Sequence, residues 1–92
     1  MKYELEYTSD FREDIRKLRK AGDIKSLRKL AKLLKELTKH PTTGIGKPEP
    51  LSGDRIGQWS RRITQKHRLI YMIIEEKVIV LLLSAYGHYG DK

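Results

Sequence analysis

The chain has 92 residues, a formal net charge of +8 and no cysteine. Its length fits one domain, over residues 1–92, and the absence of cysteine excludes a disulfide framework and a thiolate metal site. The longest apolar runs fall far short of the roughly 20 residues of a membrane helix, and the first ten residues lack the pattern of a secretory signal. We therefore expect a cytoplasmic protein without a membrane-spanning segment.

The basic residues are concentrated in the middle of the chain. Residues 15–68 contain 16 of the 20 lysines and arginines but only 4 of the 12 aspartates and glutamates. Such an excess of positive charge favours a polyanionic partner, for example a nucleic acid. A solubilising, lysine-rich surface would give the same composition, so the placement of the arginines has to separate the two interpretations.

The start of the chain predicts a strand followed by a helix. In residues 2–7 apolar and charged side chains alternate, which is typical of a half-buried strand. Three N-cap residues follow, and a cap at Asp10 would place Glu13 at the capping-box position. The apolar residues then recur at helical spacing, as Phe11, Ile15 and Leu18.

A second helix is predicted from about residue 24 to residue 38, after a break at residues 21–23. Its apolar stripe consists of Ile24, Leu27, Leu30, Ala31, Leu34 and Leu37. The basic residues lie mainly off that stripe and are Lys25, Arg28, Lys29, Lys32, Lys35 and Lys39. We therefore expect this helix to present a basic outer face.

The second half of the chain predicts a loop and then three strands. Residues 39–57 are rich in proline and glycine, and we expect Ile45, Leu51 and Ile56 to anchor this loop. Strand patterns follow at residues 56–64, 68–75 and 78–86. The last two strands are joined by a short connection and should form a hairpin. The order β-α-α-β-β-β predicts an α+β fold, with two helices on one face of a twisted, mainly antiparallel sheet.

Glu49 is enclosed between Pro48 and Pro50. Each proline fixes its own φ and restricts the residue before it, so this carboxylate is mounted on a stiff segment. A general base has to be held within hydrogen-bond reach of the proton that it removes. For this motif taken alone, a solvated loop glutamate paired with Lys47 or Arg62 is the simpler interpretation.

Two consecutive arginines lie in the first strand after the loop. Alternation directs Arg61 and Arg62 to opposite faces of the sheet, and an arginine facing a helix-covered core is unfavourable. We therefore predict Arg62 on the open face, and Arg61 near the edge of the other face beside Trp59. Arg68 opens the next strand and would stand beside Arg62. Two guanidinium groups on one face form a site for a phosphate or its transition state.

Histidine is the usual acid near neutral pH. His88 follows the last predicted strand, beside Tyr89, in a tail that contains glycine. His40 precedes Pro41 at a helix end and His67 lies in a predicted turn, so we interpret both as structural. A lone histidine in a tail is more often a plain surface residue than an acid.

A carboxylate, arginines and a histidine, without a metal-ligand cluster, are the groups that metal-free cleavage of RNA requires. A base removes the proton of the ribose 2′-OH, and that oxygen attacks the adjacent phosphorus. Cations stabilise the charged transition state and an acid protonates the leaving 5′-oxygen. DNA lacks the internal nucleophile. We therefore expect a site for cleaving RNA that uses neither a metal nor a cofactor.

The spaced motifs GKPEPL, GQWSRRIT, HRLIY and HY, between Gly46 and Tyr89, resemble those of the YoeB/Txe-type toxins of the RelE superfamily. The resemblance implies the RelE-like fold and the activity of a ribosome-dependent mRNA endonuclease from a bacterial toxin–antitoxin module. It also implies an antitoxin as partner and the ribosomal A site with its mRNA as target. Homodimers occur in this family, and the basic helix face would dock on ribosomal RNA.

Two sets of site residues are implied by the resemblance. The general base, the arginine that stabilises the transition state, the general acid and the tyrosine that holds the substrate are, in this order, Glu49, Arg68, His88 and Tyr89. The resemblance also assigns Lys47 and Arg62 to contacts with the RNA, and we predict Arg61 and Arg55 as further RNA-binding cations.

The chain departs from the family pattern in two places. Members often carry a lysine or arginine directly after PEPL, where this chain has Ser52, and Arg55 is the substitute cation. Members also tend to end at HY, whereas residues 90–92 follow here. This extension bears on the efficiency of the acid step at His88.

Two other functions remain open at this point. A ParE-like toxin of the same superfamily shares the fold, lacks the catalytic set and inhibits DNA gyrase by binding. A plain RNA- or ribosome-binding module would use the basic helix face alone, and alanine at Glu49 would then leave its function intact.

Overall fold

The computed structural model describes residues 2–85 and, within them, every side chain except those of Leu82, Ser84 and Ala85. Two helices and a five-stranded sheet form the predicted α+β fold. In chain order the elements are β1 (Glu4–Tyr7), α1 (Ser9–Lys20), α2 (Ile24–Leu37), β2 (Glu49–Pro50), β3 (Gln58–Arg62), β4 (His67–Ile74) and β5 (Lys77–Ala85). The two-residue strand β2 and a short 3₁₀ helix at Gly53–Arg55 lie inside the segment that the sequence predicts as loop.

The strands are ordered β1-β5-β4-β3-β2 across the sheet. β1 pairs with β5 in parallel, and every other pairing is antiparallel, so the sheet is mainly antiparallel as predicted. β4 and β5 form the predicted hairpin, with Glu75 in its turn at a φ of 56°. A register shift between Ile70 and Tyr71 marks a bulge in this hairpin. The short strand β2 is therefore one edge of the sheet, and β1 is the other.

The core lies between the two helices and one face of the sheet, which confirms the predicted layer arrangement. Apolar side chains of both helices meet those of β4 and β5. The buried members of this core are Phe11, Leu30, Leu33, Leu37, Ile63, Leu69, Tyr71, Val78 and Val80. Within residues 2–85, no helix has the length and apolar content to span a membrane.

Helix α1 begins two residues earlier than a cap at Asp10 would place it. Thr8 is the N-cap, and its hydroxyl accepts a hydrogen bond from the Phe11 amide at 3.1 Å. The same hydroxyl donates to the carbonyl of Leu81 on β5. The predicted cap at Asp10, with its capping box, is therefore wrong. Thr8 is the cap although Ser9 and Asp10 follow it, and its hydroxyl is held by a distant strand.

Helix α2 is capped by Asp23, as the break in the sequence predicts, but its buried face is rotated from the predicted stripe. The Asp23 carboxylate accepts bonds from the amide of Ser26 at 3.1 Å and its hydroxyl at 2.8 Å. Ile24 is 55% exposed and Ala31 is also exposed, whereas Leu33, which the stripe omits, is fully buried. The buried residues of α2 are Ser26, Leu30, Leu33 and Leu37.

Candidate functional site

Strands β2, β3 and β4 place three of the predicted site residues on the sheet face opposite the helices. Glu49 pairs with Ser60, and Arg62 pairs with Arg68. Directly paired residues point to the same face, and so do residues two apart along one strand. Glu49, Arg62 and Arg68 therefore share this face, which we call the open face.

The strand spacing sets the distance between the carboxylate and the arginines. Neighbouring strands are about 4.8 Å apart, so Glu49 on β2 and Arg68 on β4 are two spacings, roughly 10 Å, apart across the sheet. They are also offset by two residues along the strands. These long side chains can approach a group placed between them from opposite sides.

The charges on the open face are exposed to solvent to different extents. Glu49 and Arg62 are exposed, whereas Arg68 is half-buried and donates weakly from Nη1 to the Thr64 carbonyl at 3.4 Å. Like charges directly opposite each other across two strands are unfavourable. The facing pair Arg62 and Arg68 is therefore a place where an anion would be stabilised.

Glu49 is held from both sides by hydrogen bonds to β3. On its N-terminal side the Gly46 carbonyl accepts from the Arg62 amide at 2.6 Å, and on its C-terminal side the Leu51 amide donates to the Gln58 carbonyl at 2.8 Å. Among the described residues, no ion pair includes Glu49. Its backbone is thus fixed while its carboxylate is left available, unlike the paired loop glutamate of the simpler interpretation.

Two further predicted cations lie close to these residues in the chain. Lys47 is exposed, and its φ of 50° places its backbone in the left-handed region. Arg55 is half-buried, and its Nη1 donates to Gln58 Oε1 at 2.7 Å. Because Gln58 pairs with Met72 on the open face, this hydrogen bond attaches the Arg55 side chain to the margin of the site. Ser52, the departure from the family pattern, is exposed.

The structure contradicts the predicted position of Arg61. Its side chain is 0% exposed and lies on the helix-covered side of β3, although the sequence predicts it near an edge as a contact for RNA. Arg61 Nη1 bonds Glu36 Oε1 at 2.5 Å, and Nε donates to the Tyr71 hydroxyl at 3.2 Å. The desolvation of a buried charge is offset here by a carboxylate and by hydrogen bonds, so Arg61 does not belong to the surface cations. Alternation does send Arg61 and Arg62 to opposite faces, as predicted.

The predicted anchors of the loop are also wrong in two of three cases. Ile45 is 41% exposed and Ile56 is 79% exposed, while Leu51 is half-buried. The loop is held by the Arg61 side chain instead. One signal in the sequence points to this arrangement: Glu36 is the single acidic residue of α2, and a buried arginine needs such a partner.

The structure describes two of the three histidines, His40 and His67. His67 is the first residue of β4 rather than part of a turn, and with Leu18 and Leu83 it lines a small cavity on the helix side. His40 is exposed at the end of α2. His88 and Tyr89, the predicted acid and substrate-holding tyrosine, lie outside the described residues, as do residues 90–92.

Comparison with known proteins identifies the family. The model of the "YoeB-like toxin of bacterial type II toxin-antitoxin system" matches residues 7–89. The toxin YoeB of Mycobacterium bovis is 45% identical over 69 residues, which cover 75% of this chain and 79% of that protein.

The solved structures agree with this result. A YoeB/ParE toxin from Agrobacterium tumefaciens superposes with a TM-score of 0.82 at 33% identity, covering 94% of this chain and 99% of its own. A YoeB dimer and a YoeB–YefM complex from Staphylococcus aureus give TM-scores of 0.79 and 0.78 at 29% and 28% identity, and each covers 97% of this chain and 100% of its own. The present chain belongs to the YoeB-like family of toxins of bacterial type II toxin–antitoxin systems.

Proposed function

We propose that this toxin is a ribosome-dependent endoribonuclease that cleaves mRNA without a metal or cofactor and so inhibits translation. The observation that carries the proposal is the grouping of Glu49, Arg62 and Arg68 on the open face of three adjacent strands. A fixed carboxylate and two facing guanidinium groups are suited to a phosphodiester whose neighbouring 2′-OH must lose a proton.

Each group has a defined task in this reaction. Glu49 accepts the proton of the ribose 2′-OH as the bond between that oxygen and phosphorus forms. Arg68 stabilises the charge that develops on the non-bridging oxygens, since guanidinium binds oxyanions through two parallel hydrogen bonds. The bond to the 5′-oxygen breaks, and His88 supplies the proton for that leaving group while Tyr89 holds the substrate. The products are a 2′,3′-cyclic phosphate and a 5′-hydroxyl.

The remaining cations of the site bind the RNA backbone. Arg62, directly opposite Arg68, holds the scissile phosphate, while Lys47 and Arg55 contact the flanking nucleotides. Because Arg62 is exposed and its side chain has no ion pair among the described residues, a phosphate meets little competition there. The like-charge repulsion between Arg62 and Arg68 falls when the anion binds, which favours binding further.

The basic outer face of α2 is the surface that docks on the ribosome in this proposal. A groove of about 610 Å³ runs beside this helix, between its basic side chains and the end of β3, and is lined by Ile24, Lys25, Arg28, Lys29, Lys32, Ile63 and Thr64. Rows of lysine and arginine bind phosphates with the release of counterions. Ribosomal RNA offers such a phosphate surface, and the site of action is then the cytoplasm.

The second partner in this proposal is a protein antitoxin. The related toxin of S. aureus has been solved both as a complex with YefM and as a dimer. The high positive charge of this chain is suited to an acidic antitoxin segment that neutralises the cations of the open face. A homodimer is the corresponding free state of the toxin.

The test is cleavage of a defined mRNA bound to ribosomes, with the cut sites mapped by primer extension. We expect cuts at the A-site codon for the wild-type protein and none on naked mRNA. The Glu49→Gln variant should bind ribosomes equally well and cleave about 10²- to 10⁴-fold more slowly, as for the loss of a general base. Glu13→Gln is the matched control, because Glu13 is an exposed glutamate on α1, and it should cleave like the wild type.

Two results would contradict this proposal. Equal cleavage by Glu49→Gln would remove the general base from the mechanism. Ribosome binding without any cleavage by the wild-type protein would favour a toxin that acts by binding alone.

A further inference from the structure

Arg61 is a buried cation that the proposed reaction does not use. Its side chain is 0% exposed, and it lies on β3 next to Arg62 of the site but on the opposite face. Burial of a charge is unfavourable unless ion pairs and hydrogen bonds compensate for it. The groups that compensate for it here indicate a role for this residue.

Three main-chain carbonyls of one loop accept hydrogen bonds from the Arg61 guanidinium. Nη1 donates to the Ile45 carbonyl at 3.3 Å. Nη2 donates to the Thr43 carbonyl at 2.7 Å and to the His40 carbonyl. The segment from residue 40 to residue 46 therefore wraps around one guanidinium group.

Glu36 and Tyr71 complete the arrangement. Nη1 of Arg61 bonds the Glu36 carboxylate and Nε bonds the Tyr71 hydroxyl, so all five N–H groups of the arginine have an acceptor. The same two partners also bind the loop. Tyr71 donates to the Pro41 carbonyl at 2.6 Å, and Glu36 accepts from the Ile45 amide at 2.9 Å.

Two glycines allow the loop to lie this close. Gly44 has a φ of 117°, and a Cβ there would collide with the Glu36 carboxylate. Gly46 has a φ of 81°, and a Cβ there would lie 2.9 Å from the Arg62 carbonyl. Both positions need a residue without a side chain, because the backbone conformation and the space exclude one.

The loop leads directly to the proposed site. After Ile45, the Gly46 carbonyl accepts from the Arg62 amide at 2.6 Å, and Lys47, Pro48 and Glu49 follow. Proline on both sides of Glu49 leaves the backbone of this stretch little freedom. The position of the Glu49 carboxylate therefore depends on where residues 40–46 are held.

We propose that the Arg61 cluster, defined as Arg61, Glu36 and Tyr71, is a clamp that positions the general base. It fixes residues 40–46 on the covered side of the sheet and thereby sets the place of Glu49 on the open side. Arg61 is thus a positioning residue that contacts no RNA. The inference rests on the proposed function, because Glu49 needs a defined place only if it acts as a base.

Arginine suits this role for a geometrical reason. Its planar fork presents five donors in fixed directions, whereas a lysine ammonium has three donors on a compact centre. Five acceptors from three loop residues, one helix residue and one strand residue are arranged around the plane of the guanidinium. A lysine at this position would retain the charge and leave part of the loop unbound.

The first experiment removes a single oxygen from the clamp with Tyr71→Phe. Amide exchange should become faster at Ile45 and Arg62, whose N–H groups bond the clamp and the loop. In cleavage of ribosome-bound mRNA we expect kcat to fall roughly 10- to 100-fold, as for a misplacement on the scale of 1 Å, with KM unchanged. Tyr7→Phe is the matched control, because Tyr7 is a partly exposed tyrosine of β1 outside the clamp.

A second variant, Arg61→Lys, tests the geometry of the fork. It should show faster exchange at the same two amides and a lower kcat at unchanged KM, while Arg19→Lys on the exposed surface of α1 should show neither. If Arg61→Lys does not fold, Tyr71→Phe alone decides the question.

The outcomes are distinct. Unchanged amide exchange in Tyr71→Phe overturns the clamp, and so does faster exchange with a wild-type kcat, because the loop would then not position the base. A wild-type protein that fails to cleave refutes the proposed function, whereas the exchange comparison still decides whether the cluster holds the loop.

Discussion

The two faces of the sheet place neighbouring arginines of one strand in opposite environments. Arg61 is fully buried, and each of its donors has an acceptor inside the protein. Arg62 is exposed, faces Arg68 and is left open to an external anion. The side chain is the same in both cases, so the difference shows that the acceptors available on each face, rather than the residue type, decide between packing and binding.

The free-energy cost of placing an arginine differs between the two faces. On the covered face, removing a guanidinium from water costs several kcal/mol, and that cost is acceptable only with complete pairing. On the open face, water and salt screen the repulsion between Arg62 and Arg68, so an unpaired cation is tolerated. A protein can therefore keep a binding cation on the open face at little expense in stability, whereas the cation on the covered face has to be structural.

The largest effect is expected from removing the two neighbouring side chains one at a time. Arg61→Ala leaves Glu36 without its counter-charge and several loop carbonyls unpaired, so the free energy of unfolding should fall by roughly 3–5 kcal/mol. Arg62→Ala should change it by at most about 0.5 kcal/mol, as is usual for an exposed side chain. Urea denaturation followed by circular dichroism measures both values.

The ratio of these two effects is the informative quantity. If Arg61→Ala proved as stable as Arg62→Ala, the buried cluster would carry no net stabilisation and the contrast between the faces would fail.

A smaller effect is expected on the open face from Arg68→Lys. The charge is retained, but lysine cannot form the two parallel hydrogen bonds to a phosphate that the proposed mechanism assigns to Arg68. A bond to a charged group contributes about 1.5–3 kcal/mol, so cleavage of ribosome-bound mRNA should slow roughly 10- to 150-fold without a change in stability. Arg12→Lys is the control, since Arg12 is exposed on α1; wild-type cleavage by Arg68→Lys would show that charge alone suffices.

The smallest effect concerns the helix layer that forms the covered side. The hydrogen bond from the Ser26 hydroxyl, followed by that from the Ser26 amide, lowers the pKa of Asp23 below its ordinary value of 3.8. A carboxylate with a lowered pKa stabilises the folded state above its unfolded pKa, and that contribution is lost as the pH falls through the folded pKa. Acid should therefore lower the Tm of the wild type more steeply below about pH 4 than that of Asp23→Asn, which retains a capping oxygen but does not titrate.

Thermal unfolding between about pH 5 and pH 2 makes this comparison, with Asp54→Asn as the control for an exposed aspartate outside the cap. Identical acid profiles for the wild type and Asp23→Asn would mean that the cap does not stabilise the helix layer through its charge.

Local patterns were sufficient for both helices and for four of the five strands, while the short strand β2 lies inside the segment that the sequence predicts as loop. Alternation predicts β1 and β3, helical spacing predicts α1 and α2, and apolar runs predict the hairpin of β4 and β5. They failed where contacts between distant parts of the chain are involved. The hydroxyl of Thr8, the cap of α1, is held by a carbonyl of β5, and Leu33 is buried because of the way in which α2 lies on the sheet.

The site divides in the same way. The alternation in β3 predicts Arg62 on the open face with Arg68 beside it, and the structure has this arrangement. The sequence predicts Glu49 in a loop, and only the pairing of β2 with β3 places it on the same face. The interior position of Arg61 was not predictable from that pattern. Its acceptors lie between 10 and 25 residues away in the sequence. The apolar residues predicted to anchor the loop give no indication of this contact, since two of the three are exposed.

By itself, the sequence determined the layer order, the sign and position of the charges and the motifs of the family, because these depend on side-chain periodicity and composition. Only the tertiary structure decided that Arg61, which alternation places on the helix-covered side, is fully enclosed there and does not lie near its edge. That outcome depends on Glu36, Tyr71 and three loop carbonyls converging on one guanidinium. Such convergence follows from the packing of α2 and the loop against the sheet, and no local pattern encodes it.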